Sequence, residues 1–205
     1  ILALTFTNKA ASEMKKRISE SVGESQSRNI WMGTFHSVFA RILRTEASLL
    51  GYPTNFTIYD TYDSERLVSN IIKELNLSKD NYKTKQIRNR ISSLKNNFIT
   101  VENYFNNTEM IEVDKISKRP DFGIIYKRYV DRCFRSSVMD FDDLLLKTNE
   151  LLNKFPEVLS KYQDKFRYIL VDEYQDTNYS QYLIIKALSD RYQNLCVVGD
   201  DSQSI

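Results

Sequence analysis

The stretch YILVDEYQDTN, residues 168–178, sets four apolar residues directly against a cluster of acids and amides. A short continuous apolar run of this kind reads as a strand covered on both faces, as in a parallel sheet flanked by helices. Asp172 and Glu173 then stand at the strand's carboxyl end, the edge of an open α/β sheet where ligands bind. From these residues alone the two carboxylates are either a solvated strand end or the equipment of a nucleotide hydrolase. In the second case Asp172 holds a magnesium ion near the β and γ phosphates, and Glu173, leaving the strand on the other side, faces the attacking water.

Three more segments share the strand character: ILALTF at 1–6, IWMGTF at 30–35 and LCVVG at 195–199. Helical patterns lie between them. Thr7 or Asn8 can cap a helix carrying Ala10, Ala11, Met14 and Ile18 at helical spacing, and a second helix follows TFHS with Val38, Phe39, Ile42 and Leu43 on one face. The middle of the chain turns helical and polar. Leu67, Val68, Ile71, Ile72 and Leu75 form one stripe, Ile87, Ile91 and Leu94 another, and Ile125, Tyr129, Val130 and Cys133 a third. The pattern therefore predicts an α/β unit at residues 1–50 and 139–205, interrupted by a helical insertion at 51–138. Asp140 can cap a helix that carries Phe141, Leu144, Leu145, Leu151 and Leu152 toward the α/β core, while residues 95–109 and 113–123 read as long loops.

Composition narrows the class. With 41% hydrophobic and 27% charged residues over 205 positions, the chain suits a globular protein of one or two domains. No stretch is apolar enough for a membrane span, and no secretory leader is visible, so the expectation is a cytoplasmic protein with no membrane partner. Cys133 and Cys196 lack zinc-site spacing and read as buried structural thiols in a reducing compartment. A net charge of +2 is too small to argue for nucleic acid by itself, so that case rests on local sites.

One such site opens the chain. TFTNK ends a strand and begins a helix, so first-turn N–H groups, the Thr7 hydroxyl, the Asn8 amide and the Lys9 ammonium can hold a phosphate. Phe6 offers a face for base stacking, although its spacing equally suits a core residue. His36 is the only histidine, and no cluster around it suggests a metal ligand. Lys83, Lys85, Arg88, Arg90 and Lys95 flank one apolar stripe of the insertion and read as a solvated helix face.

LVDEYQDTN followed, one helix and one strand later, by VVGDDSQSI resembles superfamily 1 DNA helicases of the UvrD/Rep/PcrA type. The opening LTFTNKAASEMKKRI and the later GTFHSVFARILR resemble the family's segments that touch single-stranded DNA; NFTIYD and DFDDLLL also look like family strings. The resemblance implies a partial RecA-like (P-loop NTPase) sheet, ATP and Mg2+ as cofactors, and 3′ to 5′ translocation on single-stranded DNA with duplex unwinding. Carried over by position, Asp172 binds the metal, Glu173 activates water and Gln203 senses the γ-phosphate, with Asp200 and Asp201 less defined. Phe6, Thr7, Asn8, Lys9, Thr34, His36 and Ser37 meet the strand, and the basic residues of the insertion track duplex ahead of the junction.

None of the five glycines, Gly23, Gly33, Gly51, Gly123 and Gly199, opens a G-x-x-x-x-G-K-[ST] string. The expectation is a piece of a longer helicase, inactive alone, whose phosphate loop precedes Ile1 and whose second RecA-like domain is a further partner. A non-catalytic DNA-binding module derived from such a helicase is the rival reading. A metal-dependent nuclease built on Asp172, Glu173, Asp200 and Asp201 is disfavoured, because the interleaved Gln, Thr and Asn residues suit nucleotide sensing better.

Overall fold

The computed structural model describes residues 1–200. In chain order the elements are β1 (Leu2–Thr5), α1 (Asn8–Val22), α2 (Glu24–Ser27), β2 (Trp31–Thr34), α3 (Phe35–Glu46), β3 (Thr57–Tyr59), α4 (Thr61–Glu74), α5 (Thr84–Asn96), α6 (Val101–Phe105), α7 (Thr108–Ile116), α8 (Phe122–Arg135), β4 (Val138–Asp140), α9 (Phe141–Lys154), α10 (Pro156–Lys165), β5 (Ile169–Val171), α11 (Tyr179–Ser189) and β6 (Leu195–Val197). Short 3₁₀ turns occupy Ala47–Leu50 and Tyr174–Asp176.

The protein is α/β, with a parallel sheet of strand order β2-β1-β5-β6 flanked by helices. All four strands run the same way, so their carboxyl ends share one edge. β1 is central, pairing Leu4 with Gly33 on one side and with Val171 on the other. Its residues Leu2, Ala3 and Leu4 are buried, as the continuous apolar run requires.

Buried side chains gather in two cores. One draws on residues 2–56 and 139–188, with α3 contributing Val38, Phe39, Ile42 and Leu43. The other draws on residues 68–133 and unites the stripes of α4, α5 and α8 around Tyr104, Phe122 and Tyr126. Each fully buried Leu, Ile or Phe stabilises by roughly 1.5–3 kcal/mol relative to exposure, so both cores have substantial driving force.

Local chemistry explains where helices begin. The Thr7 and Thr34 hydroxyls accept from the N–H groups of Ala10 and Ser37 and start α1 and α3. Asp140 starts α9 through a capping box with Asp143, each side chain accepting the other's backbone N–H, at 2.8 and 3.2 Å.

Several expectations are corrected. β3 and β4 form a second, two-stranded parallel sheet, too short to stand out in the sequence. The two supposed loops carry α6 and α7, which begin where Thr100 and Asn107 cap the N–H groups of Asn103 and Met110. Cys133 is buried, but Cys196 is exposed, because β6 is an edge strand of the described sheet. Phe141, expected in the core, is 46% exposed. Among the described residues no helix is long and apolar enough to cross a membrane.

Candidate functional site

The carboxyl edge of the main sheet collects the segments that sequence reading singled out. Asp172 follows β5 and donates its N–H to the Leu4 carbonyl of β1 at 3.0 Å. Its exposed carboxylate accepts the Glu173 N–H at 3.0 Å and retains open lone pairs. A hard carboxylate oxygen on a strand end fits magnesium, which is commonly held by one or two carboxylates plus phosphate and water.

Glu173 turns the chain sharply, in the left-handed region at φ 53° and ψ 43°. The turn is secured on the far side, where the Tyr174 N–H donates to the Val198 carbonyl at 2.9 Å. Its carboxylate accepts a hydrogen bond from the Gln175 side-chain amide at 2.7 Å. Gln175 in turn accepts the Asp200 N–H on its amide oxygen at 3.1 Å. Gln203 and Asp201 lie outside the described residues.

A second cluster forms farther along the same edge, after β1 and β2. Phe6, Thr7, Asn8, Thr34, His36 and Ser37 all line one cavity of about 480 Å³, together with Ile58, Phe141 and Leu144. Lys9 does not line this cavity and stands exposed in the first turn of α1. Phe6 is half-buried, its ring 5.2 Å from that of Phe35, so it serves the core while keeping part of its surface open. Thr34 is buried, and its hydroxyl accepts from the Ser37 N–H at 3.3 Å while Ser37 donates back to the Thr34 carbonyl at 2.9 Å. These two residues shape the α3 terminus, and Thr7 caps α1 in the same way.

His36 packs edge-on to Phe141, with ring centroids 5.9 Å apart. Burial pushes its imidazole below the ordinary histidine range, and Asp142 opposes the shift, so at neutral pH it is uncharged. Phe141 was missed as a site residue because its spacing from Leu144 and Leu145 predicts a core position. At the first position of α9, however, it projects past the core into the cavity.

The basic face of α5 separates into two groups. Lys83 and Lys85 are exposed and Arg88 is half-exposed. Arg90 pairs with Asp114 at 3.4 Å. Lys95, expected in solvent, is fully buried between Asp140 at 2.7 Å and Asp143 at 2.9 Å. Burial opposes its charge, yet the two carboxylates raise its pKa well above the ordinary lysine value. The correction has a plain cause: the helix packs on α9, and two buried carboxylates need a cation there.

The chain matches the family described as UvrD/REP helicase N-terminal domain over residues 1–205. It is 43% identical over 210 aligned residues to the ATP-dependent DNA helicase PcrA of Staphylococcus epidermidis, an alignment covering the whole chain. It is 42% identical to the protein of the same name in Staphylococcus aureus, again over the whole chain. The chain spans 27% of the length of these curated relatives.

Proposed function

Because the chain belongs to the UvrD/REP helicase N-terminal domain family, we propose that it works as part of an ATP-dependent DNA helicase, translocating 3′ to 5′ on single-stranded DNA and unwinding duplex. The observation that carries this reading is the shared sheet edge, where Asp172 and Glu173 follow β5 while a cavity lined by Phe6, Thr7, Asn8, Thr34, His36 and Ser37 follows β1 and β2. Hydrolytic groups and strand-gripping groups on one parallel sheet can be coupled by small movements of that sheet's loops.

In this reading Asp172 holds Mg2+ at the phosphates of ATP, Glu173 takes the proton of the attacking water, and Gln203 contacts the γ-phosphate. The metal neutralises charge on the transferring phosphoryl group. Phe6 and Phe141 offer faces for bases, and Thr7, Asn8, Lys9 and the N–H groups opening α1 meet a phosphate. Thr34, Ser37 and uncharged His36 shape and line the neighbouring contact. Residues 1–50 and 139–205 would form the ATPase unit, and 51–138 a subdomain that tracks duplex through Lys83, Lys85 and Arg88. A second RecA-like domain elsewhere in the full-length protein would complete the nucleotide cleft, in a cytoplasmic setting.

The test is ATP hydrolysis by the full-length protein with and without single-stranded DNA at fixed magnesium and salt. Strand-stimulated turnover is expected, and Glu173→Gln should lower it on the order of 10²- to 10⁴-fold. Folded protein with no hydrolysis in either condition would favour a non-catalytic DNA-binding module instead. Strand cleavage with magnesium and no ATP would point to a nuclease.

A further inference from the structure

We propose that Gln175 is a positioning residue that clamps the Glu173 carboxylate and ties it to the exit of β6. The inference rests on the reading of Glu173 as the group that takes the water proton. In that step a water oxygen bonds to the γ-phosphorus while the bond from phosphorus to the bridging oxygen breaks. ADP leaves with the electron pair, and the water proton passes to Glu173. A glutamate side chain rotates about three bonds, so its efficiency depends on what holds the carboxylate still.

Gln175 supplies that hold through both ends of one amide. Its Nε2 donates to Glu173 Oε2 at 2.7 Å, and its Oε1 accepts the Asp200 N–H at 3.1 Å. The first partner can only accept and the second can only donate, so a single orientation of the amide satisfies both. A carboxylate at position 175 could not, because it lacks the donor. One Glu173 oxygen is engaged by the clamp, and the other stays available for water.

Gly199 makes the contact sterically possible. A Cβ on Gly199 would stand 2.8 Å from Gln175 Oε1 and 3.4 Å from the Gln175 nitrogen. The approach of the β6 exit to Gln175 is therefore as close as it can be only because residue 199 has no side chain. The backbone bond from Tyr174 to Val198, at 2.9 Å, fixes the same two segments beside each other. Displacement of the Asp200 N–H would thus reach the Glu173 carboxylate through one side chain.

The experiment compares full-length wild type, E173Q, Q175A, Q175E, G199A and Q175A/G199A in steady-state ATP hydrolysis with saturating single-stranded DNA, over a range of ATP concentrations. Loss of the clamp in Q175A is expected to lower kcat about 10- to 100-fold, with the KM for ATP changed less than about threefold. Q175E keeps the length of the side chain but loses the amide donor, so it should lower kcat at least as much as Q175A, with the KM for ATP again changed less than about threefold. G199A should depress kcat in the same direction, and the double variant should be no worse than the poorer single, as expected for two changes that break one contact.

An active wild type and an inactive E173Q beside a Q175A of normal kcat would overturn this inference alone. A Q175A or Q175E whose KM for ATP rises as much as its kcat falls would also overturn it, since that is what a general disturbance of the site gives. An inactive wild type, or E173Q with wild-type turnover, would overturn the reading of Glu173 and this inference with it.

Discussion

Glu173 holds a left-handed backbone that costs a non-glycine residue on the order of 1–3 kcal/mol. The cost is offset by bonds on either side of it, from the Asp172 N–H to Leu4 and from the Tyr174 N–H to Val198, and by the Asp176 N–H bond to the Glu173 carbonyl at 3.0 Å. In the proposed DNA contact His36 and Lys9 are expected to act differently. His36 is depressed by burial, which outweighs Asp142, so in the proposed DNA contact it would bring no charge and displace no counterion. His36→Ala should weaken single-strand binding while leaving the slope of log K against log salt unchanged. Lys9→Ala should reduce that slope by about 0.7, the value for one phosphate on a single strand. Fluorescence titration of the full-length protein at several salt concentrations checks both. Phe6→Ala and Phe141→Ala should each weaken binding by about 1–3 kcal/mol if each ring stacks on a base.

The packing of α5 on α9 rests on a buried polar network. Lys95 pairs with Asp140 and Asp143, Tyr129 donates to Asp140 at 2.7 Å, and the Ser180 hydroxyl of α11 donates to the Lys95 carbonyl at 3.0 Å. Lys95→Met would leave two buried carboxylates without their cation and should cost about 3–5 kcal/mol in denaturant unfolding. The network also makes stability depend on pH. Burial first, then the neighbouring Asp140, pushes Asp143 up to about 6. Between the ordinary carboxylate range and that value the native state holds a proton the unfolded chain has lost, so this group's contribution falls as pH rises through the window. Asp140 has the opposite sign: burial opposes its charge, but Lys95 and Tyr129 hold its pKa below the ordinary value, so its contribution is lost as pH falls. Asp143→Asn should remove the loss between pH of about 4 and about 6, which unfolding midpoints across that range will show. Lys95, with its raised pKa, contributes fully below the unfolded lysine value and loses its contribution as pH rises through the folded one.

Across the whole molecule, two cores and one open sheet edge set the solution behaviour. Burial pushes the Cys133 thiol up to about 12, whereas Cys196 is exposed on the edge strand β6. A thiol reagent should therefore label Cys196 of this chain in the native state and Cys133 only on unfolding, which mass spectrometry of labelled peptides distinguishes. The rate at Cys133 then reports opening of the core built from residues 68–133.

Much of this architecture is legible in the amino-acid sequence. The strands at 1–6, 30–35, 168–171 and 195–199, the cap at Thr7 and the cap at Asp140 all follow from interactions within about four residues, or from the period of apolar positions. The acidic pair after β5 was readable for the same reason: a strand end is a local feature, and DEYQD carries its own chemistry. What the sequence could not disclose depends on partners far along the chain. Lys95 became a buried cation through carboxylates 45 and 48 positions away. Gln175 became a clamp through an N–H 25 positions on. Phe141 left the core because it is the first residue of α9, beside a histidine on α3. Periodicity assigns a side chain to a face of its own helix, but only packing determines whether that face meets another helix, a cavity or water.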